Sequence, residues 1–360
     1  MRISVRLYRI IAKCILAFVM IVLAGVLIFV GLQVSGKNKL YGKKNQSGPD
    51  LSLANLPTES TEESSETLLD PAVEDNWKEG DIRYQGVHYR YNSDVLTFLF
   101  MGIDKMTEVK TAKDGIDGGQ SDALFLLVLN PHTMEASIIG INRDTMTDID
   151  VYSKNGTYMG TVKSQICMQH GYGDGGTVSC QRTQNVVSKL FYNLPIHGYC
   201  AINMGAIPLI NDAVGGVEIT VLEDVINSNL KEGQTVTLKG QQAYQYLHNR
   251  DTKSDLSAGR RLERQKQYLT AYAATAIAKM KQDITLPVKI YSTISKYMVT
   301  DISIDEVSYL ATQALDYTFG SDAIYSLEGQ TSTEGEFEEF YIDETALYEL
   351  ILKVFYEEVE

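Results

Sequence analysis

The sequence predicts an α/β protein: a three-layer domain with a mixed, largely antiparallel central sheet flanked by helices, preceded by one transmembrane helix. Three observations predict it. Three apolar runs lie close together between Val95 and Thr145. Helical and strand-like patterns alternate from there to the C-terminus. Residues 14–34 contain no charge at all.

The chain divides into four parts. Residues 14–34 form an uncharged run of 21 residues in which Gln33 is the one strongly polar member. As a helix it spans about 32 Å at ~1.5 Å per residue, enough to cross a bilayer core. Arg2, Arg6, Arg9 and Lys13 precede it, which puts residues 1–13 in the cytoplasm and the rest outside. A cleaved signal peptide is the rival reading, but its apolar region normally covers about 7–15 residues. Residues 35–91 read as an acidic spacer. Gly48-Pro49-Asp50 and the run Thr58-Glu-Ser-Thr-Glu-Glu-Ser-Ser-Glu-Thr67 cannot bury a core, and their charges repel, so a disordered tether is expected. Trp77 and Tyr84 to Tyr91 have the aromatic content to dock as a short first strand. Residues 92–360 are read as one domain. After the apolar run, 28 basic residues face 46 acidic ones, a balance of −18. That excludes nucleic-acid binding, which needs a basic footprint. Any phosphate site must be a local cluster of arginines.

The first apolar run ends at Asp104, the second follows Asp122, and the third stops at Arg143-Asp144-Thr145. Continuous apolar runs mean strands covered on both faces. Asn130-Pro131-His132-Thr133 supplies turn chemistry, so the second and third strands form an antiparallel hairpin. With His132 and Thr133 at its centre, Asp122 lies across the ladder from Arg143. A turn centred one residue earlier slips the pairing by two positions, and both side chains still share a face. If the first strand is also antiparallel to the second, Asp104 ends at the same edge. Two carboxylates suit a hard cation such as Mg²⁺, and arginine suits a phosphate. Spacing alone is equally compatible with an ordinary strand-end ion pair beside a solvated aspartate.

Cys167, Cys180 and Cys200 fall on the exported side and allow one disulfide. A Cys167–Cys180 bridge would staple the loop His170-Gly-Tyr-Gly-Asp-Gly-Gly176. The loop mimics a dinucleotide fingerprint but follows no strong strand, so that reading is discounted. Val186, Val187, Leu190 and Phe191 recur at helical spacing over 181–191. Residues 196–202 read as a strand whose His197 is a surface or satisfied histidine rather than a base. Residues 204–214 read as a helix stopped by Gly215-Gly216, and 217–221 as the next strand.

Gln241 to His248 reads as a helix leading to Arg250-Asp251, and a long helix follows over 259–281. On it Arg261, Arg264, Gln265 and Tyr268 fall at i, i+3, i+4 and i+7, one continuous face. Taken alone, such a stripe is a solvated helix face. Residues 337–342 read as a strand and 345–356 as a final amphipathic helix. No nucleophile elbow, P-loop or His-rich metal set is present, so no covalent nucleophile is indicated.

In order along the chain stand Gly102-Ile103-Asp104, Ser121-Asp122-Ala123, Asn142-Arg143-Asp144-Thr145, Asn211-Asp-Ala-Val-Gly-Gly-Val217, Leu238-Lys-Gly-Gln-Gln-Ala243, Arg250-Asp251 and Arg261-Leu-Glu-Arg-Gln265. This ordered set resembles the signature of the LytR-CpsA-Psr family, from about residue 92 to the C-terminus. The resemblance implies a membrane-anchored phosphotransferase outside the cytoplasm. Such enzymes move a glycopolymer (teichoic acid, capsular or secondary wall polysaccharide) from a polyprenyl-pyrophosphate carrier to peptidoglycan, with Mg²⁺ assisting. It implies Asp104 and Asp122 as metal ligands. It implies Arg143, Arg250, Arg261, Arg264 and Gln265 around the pyrophosphate, with Arg143, Asp144, Arg250 and Arg261 as the catalytic side chains. His248 stands where the family usually has an arginine, and Asn142 where proline is common.

The mechanism consistent with these residues is direct displacement by a sugar hydroxyl. Asp144 or one of the metal carboxylates would serve as base, and the sequence does not choose between them. Two rivals remain at this stage. One is a non-catalytic, polyprenyl-phosphate-binding regulator of the cell envelope. The other is a metal-dependent polyprenyl-pyrophosphate phosphatase.

Overall fold

The structure, a computed structural model, describes residues 29–42, 47–56, 76–112, 116–249, 257–335 and 337–359. Residues 29–42 form helix α1. Strands β1 (Ile82–Tyr84), β2 (Val87–Tyr91), β3 (Leu96–Ile103), β4 (Ser121–Asn130), β5 (Glu135–Ile141), β6 (Met146–Tyr152) and β7 (Tyr158–Gln165) follow. Next come α2 (Met168–Gly171), α3 (Thr177–Leu190), β8 (Gly198–Asn203), α4 (Ile207–Ala213), β9 (Val217–Thr220) and β10 (Thr235–Leu238). Then α5 (Gln241–His248), α6 (Ser257–Met280), α7 (Leu286–Ile294), β11 (Met298–Thr300) and α8 (Ile304–Gln313). The chain finishes with β12 (Ile324–Ser326), β13 (Gly329–Ser332), β14 (Glu339–Ile342), α9 (Glu344–Phe355) and β15 (Tyr356–Glu358).

The central sheet has the order β11-β8-β3-β4-β5-β12. Strand β3 is antiparallel to β4 and parallel to β8; β5 is antiparallel to β4 and parallel to β12; β11 is antiparallel to β8. The sheet is therefore mixed, as the sequence predicts. Period-2 alternation sorts its side chains. Leu99, Met101 and Ile103 of β3, with Leu124, Leu126, Ile139 and Ile141, face a core closed by Val186 and Val187 of α3 and Ile351 and Phe355 of α9. Leu96, Phe98, Leu129 and Ala136 face the opposite side, closed by Leu40 of α1 and Tyr309 of α8. Helices thus cover both faces. A further cluster, with Val217, Leu238, Tyr246 and Tyr268, joins β9, β10, α5 and α6.

The spacer departs from a plain tether. Helix α1 docks on α8: Gln33 Nε2 donates to the Ser308 carbonyl at 3.0 Å, and Lys39 Nζ lies 2.8 Å from Asp305 Oδ2. Ser35 Oγ also donates to Asp305, and a Cβ at Gly36 would overlap the Asp305 carbonyl oxygen. Leu51 is buried in the main core, and β1, β2 and the C-terminal β15 make a small antiparallel sheet. The acidic run 58–67 lies outside the described residues, as do residues 14–28 of the apolar run. Among the described residues, no helix is long and apolar enough to cross a membrane.

At the turn, the β4–β5 ladder pairs Leu124 with Ile141 and Asn130 with Glu135. The loop is therefore centred on His132 and Thr133. The His132 ring sits between two carboxylates, with Nε2 3.0 Å from Asp94 and Nδ1 2.6 Å from Glu357. Asp94 and Glu357 hold its pKa above the ordinary histidine value. A raised folded-state pKa gives stability that is complete below the unfolded value of about 6.5 and fades as pH climbs through the folded one. His132→Ala should therefore lower the melting temperature more at pH 5.5 than at pH 8.5. Equal losses at the two pH values would show that the ring contributes only neutral contacts.

Candidate functional site

The register that centres the turn on His132 and Thr133 also decides the far end of the hairpin. Extended two positions beyond Leu124 and Ile141, it sets Asp122 opposite Arg143, and the two side chains form an ion pair. A bulge at Gly102/Ile103 leaves Asp122 as the extra residue of β4. Just beyond it, Asp104 closes β3 against the loop before β4. Its N–H donates to the Gln120 carbonyl at 3.1 Å, and its exposed carboxylate accepts from Gln120 N–H at 2.8 Å.

Arg143 is the centre of this edge. Its Nη1 donates to Asp122, Nε to Asp144 Oδ1 at 3.3 Å, and Nη2 to Gln120 Oε1 at 2.8 Å and to Cys167 Sγ at 3.4 Å. Burial works against the guanidinium charge, but Cys167, Asp122 and Asp144 outweigh it and hold the pKa above the ordinary arginine value. Asn142, at the position where proline is common in the resembling family, solves the local geometry differently. Its Oδ1 accepts from Asp144 N–H at 3.0 Å, an Asx turn that aims Arg143 and Asp144 off the end of β5. Asp144 is steadied by Gln165 Nε2 at 3.0 Å, which also donates to the Glu338 carbonyl at 2.7 Å.

Sequence reasoning does not reach Gln120 or Gln165, and it gives Cys167 a disulfide role rather than a contact with Arg143. For Gln120 a signal exists: it stands two residues before Asp122 and so shares its side of an extended chain.

The glycine-rich loop buttresses this edge from behind. His170 Nδ1 donates to the Gly119 carbonyl at 3.0 Å, and burial lowers its pKa, so the ring is neutral. A Cβ at Gly118 would overlap the His170 carbonyl oxygen, which is why the two loops can lie so close. The disulfide expectation is corrected: Cys167, Cys180 and Cys200 are all free thiols and buried. Cys167 is engaged with Arg143, while Cys180 Sγ turns to His170 Nε2, 3.9 Å away. Burial pushes the Cys167 thiol up to about 11, with Arg143 opposing, so it is neutral and no nucleophile at pH 7. His197 is a satisfied core histidine whose Nδ1 accepts from Thr97 N–H at 3.1 Å.

The arginine stripe on α6 looks inward. Arg264 is only 1% exposed and Tyr268 5%. Arg264 donates to the carbonyls of Tyr246 and Asn249, and Gln265 Nε2 to the Leu247 carbonyl at 3.3 Å. Neither a solvated face nor a row of phosphate donors describes Arg264. Arg261, at the start of the stripe, is half-buried, and Arg250 lies outside the described residues. Burial, and then the charge of Asp122, raise the pKa of Tyr244 on α5. Tyr244 stacks on His248, ring centres 4.9 Å apart. Two cavities, of about 430 and 400 Å³, lie elsewhere; neither borders Asp122 or Arg143.

The fold and this edge define a family of known members. The LytR_cpsA_psr family model matches residues 58–350, and the chain belongs to that family. It is 27% identical over 250 residues to an Enterococcus faecalis protein named polyisoprenyl-teichoic acid–peptidoglycan teichoic acid transferase TagU; the match covers 66% of this chain and 71% of that one. A protein of the same name from Oceanobacillus iheyensis is 30% identical over 223 residues, 61% of this chain and 62% of its own. The chain thus spans roughly two thirds of the length of these relatives. Among solved structures, the fold is similar to that of protein gbs0355 from Streptococcus agalactiae, with TM-score 0.57, 21% identity, and coverage of 72% of this chain and 86% of that one. Bacillus subtilis TagV is similar with TM-score 0.54, 23% identity, and coverage of 72% and 95%.

Proposed function

We propose that this chain is a membrane-anchored transferase on the outer face of the cell membrane. It takes a glycopolymer, in the first instance a teichoic acid, from a polyprenyl-pyrophosphate carrier and joins it to peptidoglycan. One juxtaposition carries the reading: Arg143 is held at a sheet edge between Asp122 and Asp144, in a family whose relatives are named for this transfer.

Arg143 takes oxygens of the pyrophosphate, with Arg261 and Arg250, and offsets charge growing on the leaving phosphate. The exposed Asp104, just past the end of β3, and Asp122, near the start of β4, offer hard oxygen donors. Among the described residues, no three of His, Cys, Asp and Glu gather into a metal cage. Mg²⁺ needs no such cage, being commonly held by one or two carboxylates together with substrate phosphates. When bound, Mg²⁺ would neutralise phosphate charge. With Asp104 and Asp122 so engaged, Asp144 is left to receive the proton of the attacking sugar hydroxyl. The uncharged run 14–34 supplies the anchor, with residues 1–13 inside.

The test is a transfer assay with labelled lipid-linked teichoic acid and peptidoglycan. Label should move to peptidoglycan. Label that stays bound on the lipid makes the chain a carrier-binding regulator, and label released to water as polymer phosphate, leaving polyprenyl phosphate, makes it a phosphatase.

A further inference from the structure

Helix α5 ends against the first turns of α6. The last carbonyls of any helix lack partners within it. Here the Asn249 N–H returns to the Gln245 carbonyl at 3.0 Å, and α6 meets the carbonyls of Tyr246, Leu247 and Asn249. Arg264 Nη1 donates to the Tyr246 carbonyl and Nη2 to the Asn249 carbonyl, while Gln265 serves Leu247. A cation at this end also answers the negative pole of the helix. Arg264 Nε faces Glu223 Oε1 at 3.1 Å, close enough for an ion pair but without the alignment of a hydrogen bond. The guanidinium also lies 5.5 Å from the Tyr246 ring centre. The hydrogen bonds of its Nη1 and Nη2 go to internal carbonyls, and Nε is met by the charge of Glu223 alone.

We propose that Arg264 is a positioning residue: paired with Glu223, it fixes the C-terminal turn of α5, from Tyr244 to Asn249, the residue before Arg250, without touching the pyrophosphate. This rests on the transferase reading above, but departs from the family resemblance, which puts Arg264 among the phosphate contacts.

Arg264→Lys, Arg264→Gln and Glu223→Gln test it in the full-length chain in detergent. The readouts are hydrogen exchange over residues 241–249, melting temperature, affinity for a short-chain polyprenyl pyrophosphate, and transfer kinetics. Lysine keeps the charge but cannot fork to two carbonyls, so it should not rescue. In both Arg264 variants, exchange at the end of α5 should speed about tenfold or more and KM rise about tenfold, the scale of one charged hydrogen bond. Melting temperature should fall by several degrees, because buried carbonyls and Glu223 lose their partner, while kcat should change little.

Glu223→Gln separates the two roles by sign. If Arg264 bound phosphate, losing its competing carboxylate would leave affinity equal or tighter. If Arg264 positions α5, affinity and α5 protection fall together. Wild-type exchange in Arg264→Lys, tighter binding by Glu223→Gln, or a loss confined to kcat with KM unchanged overturns the proposal. Hydrogen exchange needs no ligand. Failure of the wild-type protein to bind the pyrophosphate would therefore sink the functional reading and still leave the clamp tested.

Discussion

Arg143→Lys should lower teichoic-acid transfer by roughly 10²–10³-fold, the scale seen when one donor aimed at developing charge is removed. Four groups around the guanidinium set this expectation. Asp122, Asp144, Gln120 and Cys167 are each met by a particular nitrogen of Arg143, so the fork is held in one orientation. An ammonium carries its donors at a single point and cannot reproduce that spread. It can still pair with Asp122, so the fold should survive with its melting temperature shifted by a few degrees at most. Transfer at the wild-type rate by a folded Arg143→Lys protein would remove Arg143 from the chemistry.

Asp104→Ala and Asp122→Ala should each abolish the Mg²⁺ response of transfer, yet differ in stability. The Asp104 carboxylate is exposed and accepts one backbone N–H, so its loss should barely move the melting temperature. Asp122 is mostly buried, with a side chain 12% exposed, and answers Arg143. Its removal strands a charged donor and should cost about 1–3 kcal/mol. Titrating Mg²⁺ in both variants alongside thermal melts checks the pair. Wild-type activity and metal response in both would make the two-aspartate site wrong.

The sheet edge was legible in the sequence because a ladder propagates its register. Once the turn is centred on His132 and Thr133, every later pairing follows, down to Asp122 and Arg143. The bounds of α5 were legible from its local pattern, whereas the antiparallel β3–β4 pairing, which no short turn announces, stood only as a condition. Other parts were not. The β6–β7 ribbon has little buried side: Tyr158, Met159 and Val162 are exposed, and burial is what writes a pattern into a strand. On α6, periodicity identified which residues share a face but could not say what the face meets. Arg264 and Tyr268 turned out to look into the protein. Residues 35–42 read as a polar linker because only Leu40 and Tyr41 are apolar there, and the rest of the docking uses hydrogen bonds, an ion pair and a close glycine contact.

That docking changes what the N-terminal region does mechanically. A free chain across residues 35–91 would have an end-to-end distance of roughly 40 Å and let the domain roam a hemisphere above the bilayer. Helix α1 instead grips α8 from Gln33, one residue before the apolar run ends at Val34. If that run spans the bilayer, as proposed, the first stretch after it is a strut rather than a leash. It gives the domain a fixed stand-off, and its roll about the α1 axis is set as well. The Asp122–Arg143 edge would then be held at one height above the membrane surface.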